Sequence, residues 1–427
     1  MTTKRTWLAG AVALAALGFS SGANAQGCTI NLGGILTLTG TQGDIGKAIG
    51  DVAQMAIDHV NEAGGIRGCR VNFILRDDQG QPQVGVDAAK QLVEVNRVQA
   101  LIGTIGSGVS LPILTSVTAP ARVTQVSCCS TSPTFTQMAI EGRTQGYWFR
   151  TIPTSLLQAV ASANQTIENG WRRTAVLYVN TDFGVNMARD YERAIRAFGG
   201  TITAMVPFNE NQTSYRAEVQ RALAQPHDSM MLIGFPQDGS TVAREWVSLG
   251  GSQNMVLNNS LRSDQFLNNV GARFLGNAWG MDNAQVSAPS VDQFNRDFQA
   301  RFNRPARGPG LHTVYDAVVV TALAYAAAGG QTADGTQIRD NLRRVISPNG
   351  EVHGTGAAGI RAAMEAIAAG RTIRYVGATG PFQFDANGDV TGPALIWRIQ
   401  NGQFQEVRTI DMDAMNALFA RVNAAPR

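Results

Sequence analysis

An α/β fold in two halves, each carrying a parallel sheet, is the architecture the sequence predicts. Three observations carry that expectation. Short runs rich in β-branched residues alternate with segments of 3.6-residue apolar spacing, the pattern of βαβ units with right-handed crossovers. The alternation begins at residue 29 and restarts after YWFRTIPTS (147–155). The chain also has 427 residues, more than the roughly 250–300 that a single hydrophobic core supports.

The elements follow in order. TINLGGILTLTG (29–40) reads as a strand running into a loop. Ile49, Ala53, Ala56, Ile57 and Val60 then recur at helical spacing, and Gly64-Gly65 ends that helix. RVNFILRDD (70–78) is a second strand, PQVGVDAAKQLVE (82–94) a helix, VQALIGTIG (98–106) a third strand and VTQVSCCS (123–130) a fourth. In the second half RTAVLYVN (173–180), GTITAMVPF (200–208), DSMMLIGFP (228–236) and NMVLNNS (254–260) are strands, with helices over 185–200 and 213–225 between them. A further helix is expected from His312 to Ala328, and Asn387-Gly388 and Asn401-Gly402 read as hairpin turns in the last segment. The chain therefore crosses between its halves more than once.

The first residues indicate export. Lys4 and Arg5 precede an apolar run from Trp7 to Phe19, and Ala23-Asn24-Ala25 supplies small residues for cleavage. The run is shorter than the about 20 residues a membrane span needs. A signal peptide over 1–25 with Gln26 as the mature start is the expectation, and the general secretory route is favoured because no Arg-Arg pair is present. Loss of Lys4 and Arg5 takes the formal charge from +3 to +1, a balance that argues against nucleic acid or an anionic membrane surface as partner. All four cysteines, Cys28, Cys69, Cys128 and Cys129, then enter an oxidising space where disulfides persist, and three pairings are open. Gln26-Gly27 before Cys28 makes a poor lipoprotein signal.

Catalytic and metal patterns do not assemble. GTGAAG (354–359) matches a dinucleotide fingerprint, but no clear strand leads into it and Arg374 stands where a carboxylate belongs, so it reads as a glycine-rich loop. DANGD (385–389) lacks the later glutamate of a calcium loop and reads as a turn. His312 and Asp316 share a helix face without a third ligand, which reads as a surface hydrogen bond rather than a metal site. No G-x-S-x-G elbow and no cysteine nucleophile with its histidine is found, so no enzyme, cofactor or metal is expected.

NEAGGIRG (61–68), RDDQGQP (76–82), LIGTIGSGVS (101–110), FRTIPTS (149–155), TDFG (181–184) and FDANGDV (384–390) occur in the order seen in periplasmic leucine/isoleucine/valine-type binding proteins. The chain resembles these type I receptors of branched-chain amino acid ABC transporters over nearly its whole mature length. The resemblance implies two Rossmann-like lobes with parallel sheets, joined by a three-strand hinge, that close on a small ligand. Crossings near Ile152, Gly280 and Val376 would put 26–151 and 281–376 in lobe I, and 152–280 and 377–427 in lobe II. Ligands of open parallel sheets bind at the carboxyl ends of the strands, here Thr37–Gly43, Gly103–Ser110, Ser127–Ser132, Asn180–Gly184, Gly234–Asp238 and Asn258–Ser260.

By the same resemblance Ser107 and Thr131, with backbone N–H groups at a helix start, would hold a ligand carboxylate. Cys129 would touch the ligand through its backbone with Ser130 beside it, and Phe183 and Phe235 would pack over it. The first-loop aromatic of the family falls at Ile45. The acidic residue that pairs with an amino acid ammonium falls at Ser260 in LNNSLRS (257–263), with no carboxylate before Asp264. A carboxylate or amide without an ammonium therefore suits these residues better than a branched-chain amino acid. Cys28 and Cys69 open strands that should be neighbours and can pair, leaving Cys128 and Cys129 bonded to each other or free. The expected protein is a periplasmic, monomeric solute receptor serving an inner-membrane ABC permease. A sensing module of the same fold and a doubly wound enzyme are the alternatives.

Overall fold

The computed structural model describes Thr2 and residues 28–425. Apart from Thr2, the expected signal peptide and Gln26 lie outside the described residues.

The first sheet is wholly parallel, in the order β2-β1-β3-β4-β5. Its strands are β1 (Thr29–Leu36), β2 (Arg70–Asp77), β3 (Ala100–Gly103), β4 (Thr124–Ser127) and β5 (Trp148–Arg150). Between them run α1 (Gly43–Glu62), α2 (Pro82–Lys90), α3 (Ser107–Ile113) and α4 (Thr134–Ile140). Strands β3 and β4 are buried along their whole length, as expected where helices cover both faces of a parallel sheet. The expected helix over 82–94 is α-helical to Lys90 and closes in a wider π turn, Gln91–Val95.

The second half supplies β6 (Arg173–Val179), β7 (Thr201–Phe208), β8 (Ser229–Ile233), β9 (Met255–Leu257) and β10 (Ala278–Asn283), with α5 (Ser155–Glu168), α6 (Asp182–Ala197), α7 (Arg216–Leu223), α8 (Pro236–Ser248) and α9 (Asp264–Val270). The chain then returns to the first half through α10 (Pro289–Phe302), α11 (Leu311–Ala327), α12 (Gly335–Leu342), β11 (Glu351–His353), α13 (Gly356–Ala368) and β12 (Ile373–Tyr375). It ends in the second half with β13 (Ala394–Gln400), β14 (Gln403–Ile410) and α14 (Met412–Ala424). The second sheet runs β14-β13-β10-β9-β8-β6-β7. It is parallel except at one edge, where β13 and β14 are antiparallel.

Two large cores, one under each sheet, define the lobes. The chain passes between them around 151–154, after Asn283 and around 391–393. Two expected boundaries move. Residues 281–283 complete β10 of the second sheet. Residues 377–390 stay with the first lobe, because Ala378, Phe384 and Val390 sit in its core and Phe384 packs edge-on to Phe149 at 5.1 Å. Asn401-Gly402 does form the β13–β14 hairpin turn, with positive φ at both residues. Asn387-Gly388 does not join two strands; it turns inside the loop 385–389, closed by Asp385 N–H donating to the Asp389 carbonyl at 2.9 Å.

The His312/Asp316 pair is not on the surface. α11 is buried on every face from Leu311 to Ala326. His312 packs on Phe294 at 4.7 Å, and burial pushes its imidazole down to about 4. Asp316 accepts from Tyr375 Oη at 2.9 Å and from the N–H groups of Ala378 and Thr379 at 2.6 and 2.9 Å. Asp316 thus ties α11 to β12 and the segment after it, while His312 packs against α10.

Disulfides join Cys28 to Cys69 and Cys128 to Cys129. The first follows from register: β1 and β2 pair Thr29 with Arg70, which places the preceding Cα atoms 4.7 Å apart.

Candidate ligand-binding cleft

Both parallel sheets aim strand carboxyl ends at one cleft between the lobes. Helix starts reach it because two glycines allow close approach. A Cβ on Gly46 of α1 would lie 1.7 Å from the Thr37 carbonyl oxygen, and one on Gly184 of α6 would lie 2.0 Å from that of Val179. No side chain fits at either point, so each helix begins directly against the end of its own strand.

Ser107 opens α3 and is buried at the cleft wall. Its Oγ accepts from Ser132 N–H at 3.2 Å, which leaves its own proton to donate into the cleft. Thr131 lines the cleft beside it. The first N–H groups of a helix have no partner within it, so hydroxyls and backbone donors converge here. Cys129 lines the same wall. The Cys128 carbonyl is held by Thr313 Oγ1 at 2.8 Å, and a Cβ on Gly310 would come 3.0 Å from Cys129 Sγ.

Ser130 is a correction. It does not line the cleft; it is fully buried, and its hydroxyl bonds Ser110 Oγ at 2.8 Å and the Thr104 carbonyl at 3.1 Å. Ser130 ties the loop after β4 to the loop after β3. Below it, Arg150 Nη1 donates to the carbonyls of Ser130 and Ser132 at 3.1 and 2.8 Å, while its Nε pairs with Asp389 Oδ1 at 2.7 Å. Both charged side chains are out of solvent. FRTIPTS and FDANGDV thus meet under the loop after β4.

From the second lobe TDFG contributes residue by residue. Thr181 caps α6 by accepting from Gly184 N–H, Asp182 accepts from Thr134 Oγ1 of the first lobe at 2.9 Å, and Phe183 faces the cleft. Phe235, just before α8, packs against it with ring centroids 5.8 Å apart. Ser260 and Asn259 come from the turn after β9. That turn is fixed by Arg262, which pairs with Asp282 at 3.3 Å and with Glu406 at 2.7 Å.

The structure brings together Ile45, Ser107, Cys129, Thr131, Phe183, Phe235 and Ser260 around one pocket between the lobes. Gln42, Ile49, Ile105, Gly106, Ile152, Asn259, Pro309 and Gly310 complete the lining. Gln42 lies in the strand-end stretch 37–43, but nothing in its local sequence marks its side chain. Pro309-Gly310 reaches the cleft from the start of α11, far along the chain. None of these lining residues is ionisable.

The lobes also touch beside the cleft. Thr41 Oγ1 donates to Glu210 Oε1 across the gap at 2.8 Å, and Asn186 Nδ2 reaches Ser132 Oγ at 3.3 Å. Burial raises the Glu210 carboxyl above its ordinary range, opposed by the Thr41 bond. Asp238 is raised for the same reason; it accepts from Tyr215 Oη at 2.6 Å and from Asn211 N–H at 3.2 Å, fixing the loop that presents Glu210.

A fold of two doubly wound lobes around a cleft that holds an uncharged pocket, crossed three times by the chain, defines a two-lobed receptor for a small molecule. The family model described as periplasmic binding protein matches residues 29–403, and the chain belongs to that family, in its type I, leucine/isoleucine/valine branch. Members of this family bind substrates and are not enzymes. The chemotactic signal transduction substrate-binding protein BasB of Halobacterium salinarum is 27% identical over 83% of each chain. The Leu/Ile/Val-binding protein BraC3 of Rhizobium johnstonii is 26% identical over 60% of this chain and 67% of its own. Among solved structures, the leucine binding protein LivK of Thermotoga maritima superposes with a TM-score of 0.75 at 20% identity, covering 90% of this chain and 99% of its own. A solute binding protein of R. palustris in complex with 4-hydroxybenzoate gives 0.70 at 17% identity, over 90% and 97%.

Proposed function

We propose that this chain is the periplasmic receptor of an ABC importer and that it binds a small organic carboxylate lacking an ammonium group. In this reading it is exported with a cleaved signal, acts as a monomer and hands its closed form to an inner-membrane permease. The observation that carries the ligand class is the uncharged lining. A buried ammonium without a counter-charge costs several kcal/mol, and among the described residues no carboxylate lines the pocket around Ser107 and Phe183 to supply one. An anionic carboxylate is better served, by the Ser107 and Thr131 hydroxyls and the backbone donors that begin α3. The Phe183 and Phe235 rings and the isoleucines suit an apolar body, aromatic or branched. Solved relatives are named for leucine and for 4-hydroxybenzoate alike, so the fold is compatible with both chemistries, and the uncharged lining supports the second.

A thermal-shift screen of carboxylates, amides and amino acids tests the reading, and Ser107→Ala locates the site. The variant should lose about 1–3 kcal/mol of affinity for the acid that binds, the range for hydrogen bonds to charged groups. The melting temperature of the unliganded protein should hardly change. Unaltered affinity would move the carboxylate elsewhere. The match to BasB favours sensing as a second reading, in which the closed lobes engage a membrane transducer. Deleting the gene separates the two: import requires that uptake of the ligand falls, whereas sensing leaves uptake intact and removes the response.

A further inference from the structure

We propose that Gln42 is a specificity-determining residue of the cleft, and that the ligand carries a neutral hydrogen-bond donor, a hydroxyl or an amide N–H, which the Gln42 amide reads. The inference rests on the carboxylate reading above and adds a second polar requirement to it.

Gln42 ends the loop from β1 and immediately precedes α1, where its backbone carbonyl accepts from Gly46 N–H at 2.8 Å. Its side chain lines the cleft and is 4% exposed, and its Oε1 is buried with no hydrogen-bond partner. An amide oxygen left so gives up the full value of the bonds it made to water. A ligand donor removes that loss.

The amide is also held where it is. Asp77 accepts from Leu38 N–H at 2.8 Å and from Thr39 Oγ1 at 2.6 Å, and Asp78 accepts from Thr37 Oγ1 at 2.6 Å. Thr41, next to Gln42, is latched to Glu210 of the other lobe. The loop is therefore pinned from both sides while its one cleft-facing amide stays unpaired. The donor it meets is neutral because no lining residue balances a positive charge. A Cβ on Gly106 would lie 3.7 Å from Gln42 Nε2, so the amide sits beside the start of α3 and near the carboxylate end.

Calorimetry on the wild-type protein and on Gln42→Met, with matched acids as probes, tests this. The probes are 4-methylpentanoate against 2-hydroxy-4-methylpentanoate, and benzoate against its 2-, 3- and 4-hydroxy derivatives. At least one hydroxylated acid should bind wild type about 10- to 100-fold tighter than its parent, and Gln42→Met should remove that advantage while still binding the parent. A structural role for Gln42 would weaken parent and hydroxylated acid together and leave their ratio unchanged, which overturns the proposal. A parent acid that binds wild type as tightly as every hydroxylated derivative overturns it too, yet leaves the carboxylate reading standing. Failure of all these acids to bind overturns both.

Discussion

Replacing Arg150 by methionine should lower the stability of the protein by about 3–5 kcal/mol, the cost of removing one partner of a buried ion pair. Arg150 and Asp389 are both out of solvent and 2.7 Å apart. Methionine fills much of the volume but strands the Asp389 carboxylate and leaves the carbonyls of Ser130 and Ser132 without their donor. Arg150→Met combined with Asp389→Leu should recover part of the loss, because no uncompensated charge then remains. Urea unfolding of the single and double variants measures this. Ligand affinity should fall as well in Arg150→Met, since the guanidinium holds the loop that presents Thr131. A loss below about 1 kcal/mol, the value of an exposed pair, would show that water reaches the site.

The second large effect concerns the bridge between Cys28 and Cys69. Cys28→Ser should cost about 4 kcal/mol by the chain-entropy estimate, since the bridge closes a sequence separation of 41 residues. The thiol left on Cys69 is buried against β1 and α1, so the native sheet itself changes little and the effect lies mainly in the freed unfolded chain. Melting of oxidised wild type and of Cys28→Ser, both with the Cys128–Cys129 bridge intact, checks it: the variant should fall below wild type. An unchanged melting temperature would mean that the register of β1 and β2 alone sets the stability of that edge.

Much of this architecture was legible because period and punctuation are local. Residues 29–36, 70–77 and 173–179 announce themselves as strands, and Gly64-Gly65 as a stop. Ser107, Thr131, Phe183 and Phe235 could be placed near the cleft because strand ends converge wherever parallel sheets face each other. Side-chain direction within an irregular loop was not legible. Ser130 and Thr131 are adjacent, yet one turns inward to Ser110 and the other faces the cleft. The difference comes from the neighbouring loop and from Arg150 beneath, contacts at 20 residues' separation. The last lobe boundary was misplaced for a similar reason: residues 377–390 have no regular pattern, and it is Phe384 on Phe149 and Asp389 on Arg150 that hold them in the first lobe. His312 and Asp316 read as a surface pair because a helix buried on all sides has no polar face to set the expectation.

The most direct test of an uncharged cleft selecting acids without an ammonium is calorimetric titration of the wild-type protein with 4-methylpentanoate and with leucine. The two differ by a single α-ammonium group. With no carboxylate among the described residues that line the pocket, leucine should bind at least about a hundredfold more weakly, corresponding to roughly 3 kcal/mol of unbalanced charge. Leucine binding as tightly as 4-methylpentanoate, or more tightly, would contradict the account, because a counter-charge would then have to reach the ligand from outside the lining described.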